Sequence, residues 1–104
     1  MTSREERLAY NESTFREVNE TIAVEDDGRL IEILCECADA SCVESITVTR
    51  AEYEEARNDP RLFLLAGGHS RGEIEEVIGI EGDHELVRKF GEAGQIAEET
   101  DPRE

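Results

Sequence analysis

The spacing of hydrophobic positions changes several times along this chain, and each change predicts an element. Over residues 3–23, Leu8, Phe15, Val18 and Ile22 recur at spacings of seven, three and four, which lines them on one helical face. Glu5, Glu6, Glu12, Arg16 and Glu20 occupy the other faces. Such a stripe can dock on the domain's own sheet or form half of a helical homodimer seam. Glu25-Asp26-Asp27-Gly28 then breaks the pattern with turn chemistry.

From Leu30 the period falls to two. Ile31, Ile33 and Cys35 alternate with Glu32 and Leu34, predicting a strand that runs into Cys35-Glu36-Cys37-Ala38-Asp39-Ala40-Ser41-Cys42. Strand character resumes over residues 43–49, with Ile46 and Val48 sharing a face, so the two segments predict a hairpin with the cysteines at its mouth. Thr49-Arg50-Ala51-Glu52 is a capping box, which predicts a helix of two or three turns through Tyr53 and Ala56, ended by Asn58-Asp59-Pro60. Residues 61–66 form the most apolar run and predict the most buried, central strand, with His69 in the glycine-flanked loop beyond it. Ile74–Ile80 and Leu86–Phe90 predict a second hairpin about Gly82-Asp83. Ala93, Ile96 and Ala97 predict a short closing helix that stops before Pro102.

These elements describe one α+β domain over residues 1–104, with an amphipathic helix in residues 1–24 and a sheet-containing core in 30–104. The expected architecture is a small antiparallel sheet of about four or five strands, flanked by the N-terminal helix and two short ones, with a metal knuckle on a hairpin. A chain of 104 residues buries a little over about 60% of its unfolded surface, so the core is thin and a metal staple adds much to it.

The three cysteines supply the candidate chemistry. Structural zinc takes four Cys or His ligands in a tetrahedron. Cys35 and Cys37 point to one side of a strand, the intervening loop lets Cys42 fold back, and His69 is the preferred fourth ligand, with His84 as the alternative. Zinc is the expected ion, and an iron–sulfur centre fits the spacing less well. Three buried cysteines packed as small hydrophobes account for the same residues without a metal. A catalytic thiol is disfavoured because Glu36, Asp39 and Glu44 oppose thiolate formation.

Charge narrows the partners. Twenty-seven acidic residues against eleven basic ones leave a formal charge of −16, which repels nucleic acid and anionic membranes and favours a protein with a basic surface. The same charge also serves solubility or a salty cytoplasm. No secretory core or membrane span is visible, so a cytoplasmic location is expected. No phosphate loop, H-E-x-x-H or G-x-S-x-G pattern occurs. The expected role is a zinc-stabilised, non-enzymatic interaction or regulatory module. A zinc–thiolate redox or metal sensor is the second reading, and a three-thiolate metal enzyme with an open fourth corner is the third.

Phe15-Arg16-Glu17-Val18-Asn19-Glu20, the turn from Cys35-Glu36-Cys37 to Cys42, Gly68-His69, and Gly91-Glu92-Ala93 running on to Ile96-Ala97-Glu98-Glu99-Thr100-Asp101-Pro102-Arg103 resemble a group of small uncharacterised proteins from high-GC actinobacteria. Ten arginines against the single Lys89 fit GC-rich coding. The resemblance spans most of the chain and implies a cytoplasmic protein in which the cysteine turn recurs. It brings no activity with it. This chain departs from the pattern at Ala66-Gly67-Gly68-His69, where a proline is expected just before the Gly-His pair.

Overall fold

The computed structural model describes residues 4–25, 28–39 and 41–103, and the side chain of Glu5 lies outside that description. In chain order the elements are α1 (Arg4–Glu25), β1 (Leu30–Leu34), β2 (Ser45–Thr49), α2 (Arg50–Arg57), β3 (Leu62–Ala66), β4 (Glu75–Glu81), β5 (His84–Lys89) and α3 (Gly91–Glu99). The class is α+β, as the periodicities predict. No helix among the described residues is long and apolar enough to cross a membrane.

The strands form two antiparallel sheets rather than one. β1 pairs with β2 from Leu30↔Thr49 to Leu34↔Ser45, and the other three strands follow the order β3-β5-β4. The central strand is therefore β5, and β3 lies at an edge. β3 is nevertheless buried along Phe63–Ala66, because the segment after β1 crosses its outer edge. There Glu36 N–H donates to Leu64 O at 2.9 Å, and the Glu36 carboxylate accepts from Leu64 N–H at 2.9 Å. One glutamate closes the space between the sheets with its backbone and its side chain together.

Local chemistry behaves as expected at the turns and caps. Thr49 and Glu52 form the reciprocal capping box at the start of α2, and Asn58 caps its end. Gly82, at φ 56°, opens the two-residue loop between Glu81 and His84, a conformation that glycine adopts without steric cost.

The first helix departs from expectation. Its buried residues are Leu8, Ala9, Glu12, Ser13, Arg16, Asn19 and Ala23, whereas Val18 is 42% exposed and Phe15 and Ile22 are half-buried. The stripe Leu8–Phe15–Val18–Ile22 thus runs along the margin of the docked face and not down its centre, while the helix itself packs on the domain's own core. The helix docks through polar side chains because each finds a partner in the core. Arg16 donates to Pro60 O at 2.7 Å, to Ala97 O at 2.8 Å and to Thr100 Oγ1 at 3.1 Å, with its guanidinium 4.6 Å from the Phe63 ring centroid. Glu12 reaches Lys89, which also donates to Glu75 at 2.6 Å. Burial pushes the Glu75 carboxyl up to about 7 and the Lys89 ammonium down to about 7. The direct ion pair acts against both shifts.

Candidate metal centre

The centre is built by three local features. Alternation along β1 points Ile31, Ile33 and Cys35 into the core, and pairing extends past the strand end because Cys35 N–H donates to Glu44 O at 3.0 Å. Asp39 then turns the chain. Its carboxylate accepts from Ser41 N–H at 2.9 Å and from Ser41 Oγ at 2.7 Å, and its carbonyl accepts from Cys42 N–H at 3.0 Å. The turn brings Cys42 back beside Cys35 and Cys37.

The third feature is the turn after β3. His69 N–H donates to Ala66 O at 3.2 Å, and Gly68 takes a φ of 83°. Gly67 donates its N–H to Asp83 O at 3.0 Å, which ties this loop to the β4–β5 turn.

The sulfurs of Cys35, Cys37 and Cys42 and a ring nitrogen of His69 all lie within 4.8 Å of one another. His69 Nδ1 is 3.5 Å from Cys35 Sγ and 3.7 Å from Cys42 Sγ. Zinc–sulfur bonds of about 2.3 Å and zinc–nitrogen bonds of about 2.0 Å, set at tetrahedral angles, give ligand separations of about 3.5–3.8 Å. Those two separations fit that range. His69 Nε2 faces the Glu44 carboxylate at 3.0 Å. A carboxylate on one ring nitrogen with thiols on the other is the arrangement that fixes the tautomer and orientation of metal-bound histidines. His84 lies elsewhere, with Nε2 3.0 Å from Glu52 and Nδ1 3.2 Å from Asp83.

Burial is the leading reason that the Cys35 and Cys37 thiols are pushed up, while the Ala66 and Asp39 backbone contacts pull the other way. The acidic neighbours are not the main cause. Glu36 has its charge met by Arg57 through two bonds of 2.8 and 3.1 Å, with both side chains almost wholly buried. Asn19 donates to Glu36 at 2.8 Å, donates to Leu34 O at 2.9 Å and accepts from Leu34 N–H at 2.8 Å. Ala66 N–H donates to Cys35 Sγ at 3.1 Å. These residues hold the cysteine segment against β3.

Sequence reasoning missed the supporting roles of Asn19, Glu36, Glu44 and Arg57. Glu36 carried one visible signal, a charge at a position flanked by two inward-facing cysteines. Nothing local marked Asn19 or Arg57 as its partners.

The four groups differ in access. Cys35 and Cys37 are buried, Cys42 is half-buried, and the His69 side chain is 30% exposed. No family model matches the chain, nor does any curated protein or solved structure.

Proposed function

We propose that Cys35, Cys37, Cys42 and His69 close on one zinc ion and that the protein is a zinc-stabilised, non-enzymatic interaction or regulatory module of the cytoplasm. The observation that carries this reading is the convergence of three sulfurs and an imidazole nitrogen from two distant segments within 4.8 Å. The ion would clamp the β1–β2 hairpin to the end of β3, adding to the bonds that Glu36 and Cys35 already make there. A closed four-ligand site leaves no corner for substrate, which suits a scaffold better than a Lewis acid. The charge of −16 favours a basic protein as partner.

Native mass spectrometry with elemental analysis tests the site. One zinc per chain is expected, retained by His84→Ala and lost or exchanged quickly in Cys37→Ser and His69→Ala. A chain purified without metal that cannot be loaded, or one whose metal is indifferent to all three cysteines, would remove the clamp.

The greater exposure of Cys42 favours a second, redox reading of the same site. Hydrogen peroxide would oxidise the Cys42 sulfur to a sulfenic acid with reduction of the peroxide to water. Attack by the Cys37 thiol would then form a disulfide, release a second water and deprive zinc of two ligands. Zinc release by mild peroxide at one equivalent per chain separates this sensor from a plain scaffold.

A further inference from the structure

We infer that the outer edge of β4, with the cleft beside it, is a docking site for an extended basic segment of a partner protein. β4 pairs only with β5, and among the described residues no other backbone group bonds to the stretch from Glu76 to Glu81. A strand in that position offers a row of unsatisfied amides and carbonyls that a partner strand can complete.

The side chains of β4 point the same way. After Glu75 the strand buries none of its residues, and it exposes three β-branched ones: Val77 at 38%, Ile78 at 47% and Ile80 at 71%. A bulge between Val77 and Gly79 interrupts the pairing with β5. Next to it lies a cleft of about 260 Å³ between α2 and the β4–β5 hairpin. Leu64, Ile80 and Leu86 supply its apolar lining, and Glu52, Glu55 and Glu81 its carboxylates. Glu52 is committed to Thr49 and His84, whereas Glu55 and Glu81 are exposed. An arginine or lysine fits this lining with both of its parts, the aliphatic stem on the leucines and the charge between the two exposed glutamates.

Charge also selects against a second copy of this chain. Pairing two β4 edges would bring Glu76 and Glu81 of one copy against the same residues of the other, in a chain already at −16. A basic strand reverses the sign of each of those contacts. This inference rests on the reading of the chain as an interaction module. It does not depend on the metal, because β4 and the cysteine segment lie at opposite edges of the sheet.

The test titrates an acetylated, amidated heptapeptide of alternating arginine and valine into the ¹⁵N-labelled full chain at low salt, with bound zinc measured in parallel. Saturable shifts confined to Glu76–Glu81, Leu64 and Leu86 are expected. The affinity should fall about tenfold or more in the exposed double variant Glu55→Lys/Glu81→Lys. It should fall similarly for one of two peptides N-methylated at alternate residues, whichever blocks the ladder. Shifts spread over all acidic surfaces, with both methylated peptides binding as well as the parent, would reduce the effect to counterion attraction and overturn the proposal. So would an equal affinity for a glutamate–valine peptide, no binding at millimolar peptide, or a dimer of the free chain that buries β4. Because zinc is measured separately, an empty metal site with intact peptide binding would count against the zinc clamp alone.

Discussion

The three-stranded sheet has two edges, and the chain treats them in opposite ways. At β3 the outer backbone groups are taken up: Leu64 by both ends of Glu36, and Ala66 N–H by the Cys35 sulfur. Behind that seam lie Arg57, Asn19 and the four clustered ligands. At β4 no strand, buried charge or sulfur covers the edge among the described residues, and three apolar side chains face solvent. A small sheet cannot close both edges on itself. The difference shows that this chain seals one edge with buried Glu36, backed by Arg57 and Asn19, and leaves surface carboxylates and a bulge to guard the other.

Breaking the sealed edge should have the largest consequences. If zinc occupies the cluster, its removal by a strong chelator forfeits binding free energy on the order of 10 kcal/mol, the scale of structural zinc sites. Hydrogen exchange should then show the β1–β2 hairpin losing protection while β4 and β5 change little. Uniform protection with and without chelator would mean that the seam holds without a metal.

Arg57→Met comes next. It strands the Glu36 carboxylate in the core and should lower stability by about 3–5 kcal/mol in urea unfolding. A loss below about 1 kcal/mol, typical of exposed pairs, would contradict the burial of this one. Glu44→Gln leaves the four ligands in place but weakens the hold on His69 Nε2. Zinc affinity should drop about 10- to 100-fold in a competition titration, with little change in the fold of the loaded protein.

On the open side the effects are smaller. Burial by itself would lower the pKa of His84, but its bonds to Glu52 and Asp83 outweigh that and raise it. A raised value in the folded state means that the protonated form is favoured there. The contribution is complete below the ordinary histidine value near about 6.5 and fades as pH rises through the elevated one. The wild-type chain should therefore lose stability over that window relative to His84→Gln, and parallel curves for the two would discard this linkage. Smallest of all, Ile80→Thr should change unfolding free energy by no more than about 0.5 kcal/mol, because its side chain has little burial to lose. A large loss would mean that β4 is covered after all.

The cysteine spacing picked out three sulfurs that cluster, and the glycine-flanked loop favoured His69 over His84 as the group beside them, because turn geometry is written in neighbouring residues. The capping box and the Gly82-Asp83 loop were legible for the same reason. The single-sheet expectation failed at Glu36. Alternation predicts where a strand runs but not that a glutamate will replace a backbone partner across to β3. The helical stripe failed at Glu12 and Arg16, because polarity alone does not reveal that Lys89, Pro60 and Ala97 await them in the core.

The sequence by itself determined the elements, their order, the turns that aim the cysteines and His69, and the acidic field around them. Tertiary structure alone decided which face of α1 is buried, how the five strands divide, and which edge of the larger sheet stays open. The physical reason is range. Periodicity, capping and turn chemistry act over a few residues, whereas the burial of a charge is tolerable only when a partner far along the chain arrives to meet it.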